Sequence, residues 1–142
     1  MDYIMLPSSL VGFSNDYTKI VTMTTGTAAL LVHGNLKVTE ADRTCSCCGS
    51  KMHVHGTTDA SLRHVSVGFE PMIVQFEKVR HYCPNCSQTR MQEVPFQARG
   101  HRITEQLYNY IRDLLSRGLT LKMVSEITAI GKNTVKQIDL ER

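Results

Sequence analysis

Apolar residues along this chain change their spacing at about residue 100. Before that point they alternate or gather in short β-branched runs, and after it they recur every three or four positions. Tyr17–Thr25 and Thr27–Val38 are rich in Val, Thr and Leu, with Gly26 and Gly34 as breaks, which predicts two or three short strands. Pro7, Ser8 and Ser9 allow residues 1–16 a short helix at most, or a docked tail. Further on, Val65, Val67 and Phe69 alternate with His64, Ser66 and Gly68. A turn at Glu70-Pro71 and a second strand over Met72–Tyr82 complete a predicted hairpin. His53, Gly56 and Thr57–Ser61 read as loop.

Glu93–Gly100, with Pro95 and Gly100, is the predicted seam. Beyond it Ile103, Leu107, Tyr110/Ile111 and Leu114 fall on one helical face, with Glu105, Arg112 and Asp113 opposite. Gly118 is placed to end that helix, and Thr120 to cap a second one carrying Met123, Val124 and Ile127 inward. A tight turn over Thr128–Gly131 then leads to a third helix, Lys132 to about Leu140, with Val135 and Ile138 inward.

Cysteine spacing adds chemistry to this outline. Cys45/Cys48, followed by Gly49, and Cys83/Cys86, enclosing Pro84, each offer two thiolates from one tight turn. Four thiolates make a closed tetrahedral site that suits structural zinc. Between the pairs lie 34 residues, so the insert must fold as the hairpin above. Redox or inert thiols are the alternatives, but Cys48-Gly49 does not open a helix as a redox motif requires. Cys47 reads as a bystander. His53, His55, His64 and His81 read as surface or hydrogen-bonded strand positions, because four cysteines already saturate the metal.

The expected fold is therefore α+β: a small β-rich, zinc ribbon-like domain followed by a three-helix helix-turn-helix domain. Residues 1–44 would supply strands packing on the ribbon, residues 45–96 the four-cysteine zinc-binding ribbon, and residues 97–142 the helices. A chain of 142 residues without tryptophan buries a modest core, which a metal would supplement.

Charge changes the picture of the helices. Residues 97–142 hold 8 basic and 5 acidic side chains, whereas residues 1–44 hold 3 and 4. The third helix would expose Lys132, Asn133, Thr134, Lys136 and Gln137, side chains able to bond base edges and phosphates in a major groove. Lys122 and Thr120 would hold the backbone, and Arg99 and Arg102, with His101, a phosphate or the minor groove. The alternatives are a three-helix cap with a solvated face and a plain polar connector. No run of 18 apolar residues and no signal-like start is present, so neither a membrane span nor secretion is expected.

In its order of motifs the chain resembles the N-terminal region of insertion-sequence transposases of the ISL-three family. The likeness rests on Cys45–Gly49, Lys78-Val79-Arg80 before Cys83-Pro84-Asn85-Cys86, Pro95-Phe96, Arg102-Ile103-Thr104 and Asn133-Thr134-Val135. Ser46-Cys47 and Gly131 depart from the family pattern. The resemblance implies zinc binding, recognition of terminal inverted repeats on double-stranded DNA, and a bacterial, cytoplasmic, nucleoid-associated setting. It implies a homodimer or a full-length transposase as further partners. The nuclease domain would begin where these residues stop, so no enzymatic activity is expected here. A stand-alone regulator of transposition and a zinc-ribbon protein-interaction module are the competing readings.

Overall fold

A computed structural model of the chain describes residues 10–67 and 70–142. The reading of the first nine residues, and the places of Gly68 and Phe69 in the alternating pattern, lie outside the described residues. The architecture is α+β: a β-rich sheet, four helices and a cluster of cysteines among the described residues.

Strands β1 (Phe13–Thr22) and β2 (Ala28–Leu36) form an antiparallel hairpin with Thr22 opposite Ala28. Two expectations are corrected here. β1 starts at Phe13, so Phe13–Asp16 are strand and not tail, with an irregularity between Asn15 and Tyr17. Gly34 does not break the strand but lies within β2, because β1 crosses too close for a side chain. A Cβ on Gly34 would meet the Ser14 carbonyl oxygen at 2.2 Å and the Phe13 ring at 2.5 Å. Glycine is required by that approach.

A short helix that the apolar pattern did not announce, α1 (Glu40–Arg43), follows. Thr39 and Asp42 close a capping box around its start. Next come β3 (His53–Val67) and β4 (Glu70–Tyr82), a long antiparallel pair, then β5 (Thr89–Met91). The loop reading of His53, Gly56 and Thr57–Ser61 is overturned, since β3 pairs with β4 from His53↔Tyr82 onward. β3 ends the main path of the sheet, where exposed Thr57, Thr58 and Asp59 are compatible with strand, and Gly56 sits at a register shift. Likewise Glu70 and Pro71 open β4 instead of forming a turn; at the first positions of a strand proline's missing N–H is tolerated.

The sheet runs β1-β2-β4-β3, with β2 parallel to β4, the other pairs antiparallel and β5 beside the far end of β4. Leu30, Val32 and Leu36 of β2, Leu62 of β3 and Met72, Val74 and Phe76 of β4 make one apolar face. Phe96 covers it, edge-on to Phe76 and Phe13 at centroid distances of 5.8 and 6.2 Å.

Helices α2 (Glu105–Ser116), α3 (Leu121–Thr128) and α4 (Lys132–Leu140) enclose a second core. Thr104 and Thr120 cap α2 and α3 through their hydroxyls, as Thr120 was expected to. After α2, the Gly118 and Leu119 N–H groups return to the Leu115 and Leu114 carbonyls, the helix-ending pattern expected of Gly118. Inward positions follow the helical period: Leu107, Ile111 and Leu115 on α2, Val124 on α3, Val135 and Ile138 on α4. Tyr110, Met123 and Ile127 are corrections, since they remain 39%, 47% and 48% exposed. The narrow α3 meets its neighbours mainly along Val124 and Thr128, which leaves its flanks in solvent.

Sheet and helices are joined along β3. Arg63 N–H donates to the Arg102 carbonyl at 3.1 Å, and Thr104 N–H to the Arg63 carbonyl at 2.9 Å. The Arg63 guanidinium reaches the Ala129 carbonyl, in the turn between α3 and α4, at 2.7 Å. Buried His64 places Nδ1 2.7 Å from the Thr104 hydroxyl.

This packing makes two substitutions informative. Gly34→Ala should cost about 1–3 kcal/mol or more by overpacking against β1, read as a lower denaturant midpoint. An unchanged midpoint would show that β1 can yield. Burial holds His64 below its ordinary value near 6.5, so the folded protein resists protonation there. The associated stability is complete above that value and drains away as pH falls below it. Melting temperature should therefore fall more steeply from about pH 7.5 to pH 5 in the wild type than in His64→Gln; equal slopes would acquit His64.

Candidate metal centre

Each pair of cysteines sits on the same backbone device. In the first, Cys45 N–H donates to the Ser50 carbonyl and Gly49 N–H to the Cys45 carbonyl, both at 2.9 Å. In the second, Cys83 N–H donates to the Gln88 carbonyl at 2.8 Å and Ser87 N–H to the Cys83 carbonyl at 2.9 Å. The residue after each second cysteine is left-handed: Gly49 at φ 71° and Ser87 at φ 58°. Glycine suits that conformation, whereas Ser87 holds it against its own Cβ.

The β3–β4 hairpin carries the second turn back to the first, with His53 opposite Tyr82 immediately before Cys83. Arg90 binds the first turn from β5 by donating to the carbonyls of Ala41 and, at 3.0 Å, Thr44. Asn85 also donates to the Ser50 hydroxyl across the two turns. Neither Arg90 nor Ser50 was anticipated, because carbonyl and hydroxyl contacts between distant turns leave no periodic trace.

The sulfurs of Cys45, Cys48, Cys83 and Cys86 all lie within 4.8 Å of one another. Cys45 and Cys86 are 3.3 Å apart, and Cys48 and Cys83 are 3.5 Å apart. A tetrahedron with zinc–sulfur bonds near 2.3 Å has edges of about 3.8 Å, so the four sulfurs fit one zinc ion. Cys45 and Cys83 are buried with Met52 beneath the site. The Cys45 thiol is lowered to about 6, first by the backbone N–H of Cys48, then by that of Cys47 and by the Cys86 thiol. Ser50 lowers Cys48 as well. Cys86 is pushed up to about 12, because neighbouring Cys45 and Cys83 compete for the negative charge. One divalent cation held by Cys45, Cys48, Cys83 and Cys86 would resolve that competition by favouring the thiolate form of all four. The cofactor is structural zinc: four sulfurs close the coordination sphere.

Cys47 is exposed and outside the four, in keeping with its reading as a bystander. None of the four histidines near the cysteines joins the cluster among the described residues. His53 and His55 are exposed, His55 lies 5.7 Å from the Tyr82 ring, and His64 and His81 are buried in the sheet.

The polar residues singled out on the helices are distributed as follows. Lys132, Asn133, Lys136 and Gln137 are exposed on α4, and Thr134 is half-buried. Gln137 donates to Glu141 at 3.3 Å, so it is partly engaged. Glu141 also accepts from the Tyr108 hydroxyl at 2.8 Å and lies 3.1 Å from His101 Nε2, which fastens the end of α4 to α2. The Thr120 hydroxyl accepts from the Met123 N–H, with Lys122 exposed beside it. Arg99 and Arg102 are exposed on the segment before α2. No helix among the described residues is long and apolar enough to cross a membrane.

Removing the metal should loosen the sheet's cysteine end, because metal affinity is folding free energy. Strong chelation, or Cys83→Ser, should lower the melting temperature by roughly 10 °C or more. Identical melts with and without chelator would count against the centre.

Among known proteins, residues 41–86 match the family model described as the zinc-finger of transposase IS204/IS1001/IS1096/IS1165. No curated protein and no solved structure matches the chain. The matched stretch contains all four sulfur ligands and the hairpin that brings them together. Residues 41–86 are thus similar to the zinc-finger of transposases IS204/IS1001/IS1096/IS1165.

Proposed function

We propose that this chain is the zinc-braced DNA-recognition part of a transposase, reading the terminal inverted repeats of a mobile element. In this reading residues 97–142 form the recognition domain, with α3 and α4 acting as a helix-turn-helix. Residues 45–96 form the four-cysteine ribbon that braces them, and the strands within residues 1–44 extend that platform. The observation that carries the proposal is the division of α4. Val135 and Ile138 are fully buried, while Lys132, Asn133, Lys136 and Gln137 face solvent from its other side.

Helix ends support the same reading. Gly131 caps α4 with no side-chain hydrogen bond, so the first amides of the helix are open to a phosphate or a base edge. Lys132 and Asn133 stand at that end, where a recognition helix makes its first contacts. Thr134, Lys136 and Gln137 would continue along the groove, while Lys122, Thr120, Arg99 and Arg102 would meet phosphates. Strand cleavage and joining are not part of the function we propose, since four thiolates leave the metal no open position for a reacting group. The setting is the bacterial cytoplasm, with a second copy or the full-length transposase as partner.

A protein-interaction module is the second reading, favoured by Met123 and Ile127. These exposed apolar residues are one helical turn apart on α3. Gel shifts against random duplex at low salt separate the two, because a pure interaction module has almost no affinity there. Selection of bound sequences from a random pool should return an inverted-repeat sequence for the unaltered chain. Lys132→Ala and Asn133→Ala should relax its selectivity roughly tenfold at one or two positions. Unchanged selectivity in both would remove α4 as the reading helix.

A further inference from the structure

Several cations of this protein are already engaged. Arg43, Arg117 and Arg142 pair with carboxylates on their own helices or helix ends, at 3.9, 3.0 and 2.9 Å. Arg90 is bound to backbone carbonyls and Arg112 lies over the Tyr108 ring. By contrast, Lys78 and Arg102 have no carboxylate partner among the described residues, and Arg63 is held by the Ala129 carbonyl alone, with no carboxylate beside it. These three lie together where the sheet meets the helices.

Their grouping is visible in the surface hollows at that junction. One, of about 380 Å³, is bounded by Arg63, Arg102, Gly131 and Thr134, so it opens directly beside the start of α4. A second, of about 330 Å³, shares Arg102 and adds Lys78 from β4. A third, of about 430 Å³, shares Lys78 and adds Arg99. Lined up through their shared residues, the hollows lead from the α4 N-terminus across the junction onto the sheet.

Acidic side chains lie mostly elsewhere. Asp59 borders the second hollow, but it sits opposite Glu77 in the strand register, and both line a separate polar hollow with Tyr17 and His33. Glu93 borders the third. No carboxylate lines the first, where the buried Arg63 Nε has no acceptor and burial weakens the guanidinium's hold on its proton. An anion arriving there would supply the counter-charge that the protein withholds.

We propose that Lys78 and Arg102, with Arg63 behind them, form a second backbone-tracking surface that carries the duplex from α4 onto the sheet. This inference rests on the DNA reading above and extends it. The sheet becomes a contact surface as well as a scaffold, and the footprint grows past the bases that α4 reaches. Its chemistry is that of cations without carboxylate partners set beside phosphates, independent of sequence. Arg63 has a further duty, since its bond to the Ala129 carbonyl fixes the turn that aims α4.

The test is the salt dependence of duplex binding by the full chain with zinc. Lys78→Gln and Arg102→Gln should each flatten the slope of log affinity against log salt by about 0.9, and the double variant by about twice that. Both should shorten the hydroxyl-radical footprint on the same side while the selected sequence stays the same. Arg117→Gln, whose guanidinium is already paired, should leave slope and footprint alone. Zinc content and melting temperature report whether each variant is folded, and Lys78→Arg should restore the slope if charge is what matters. Wild-type slope and footprint in folded Lys78→Gln and Arg102→Gln would overturn the sheet surface and leave the α4 reading standing. Failure of the unaltered chain to bind any duplex would overturn both.

Discussion

The register of one hairpin governs this molecule. β3 and β4 stay paired from Val67↔Glu70 to His53↔Tyr82, and only that register returns Cys83 and Cys86 to Cys45 and Cys48. A slip of one residue would turn Val74 and Phe76 out of the core and carry the second pair of thiols away from the first. The metal and the sheet therefore support each other. Zinc would clamp the end of a hairpin where only Cys45, Met52 and Cys83 are buried together, and the hairpin places four sulfurs that no local turn could gather.

The same pair of strands positions the helices. Arg63 and His64 are adjacent in β3, and they hold the segment before α2 through main-chain and side-chain bonds. Arg63 also holds the turn before α4. A continuous covalent and hydrogen-bonded path thus runs from the cysteine end of the hairpin to the turn before α4. Glu141, bound to Tyr108 and His101, closes the helical unit at its other end. α4 is thus held near both ends while Lys132, Asn133 and Lys136 stay exposed along it.

Much of this was legible along the chain. Cys-x-x-Cys spacing is local chemistry, so the ligand set was readable before any fold was known, and the family match over residues 41–86 agrees with it. Helix ends were equally clear, because Thr120 and Gly118 act within one turn of their own positions. Strand limits were not. Thr57–Ser61 has the composition of a loop and Gly34 that of a break, yet both are strand because neighbouring chains demand it. Met123 and Ile127 failed for a related reason: helical periodicity marks a face, and how wide a face is covered depends on which partners pack there.

By itself the sequence determined the two Cys-x-x-Cys pairs, the switch from strand to helix and the buried positions Leu107, Ile111, Val124, Val135 and Ile138, since these rest on spacings between residues close in number. Tertiary structure alone decided that β2 lies parallel to β4, that Gly34 must have no side chain, and that Lys78, Arg63 and Arg102 meet at one junction. Those facts depend on which distant segments touch, and close packing, not local preference, makes that choice.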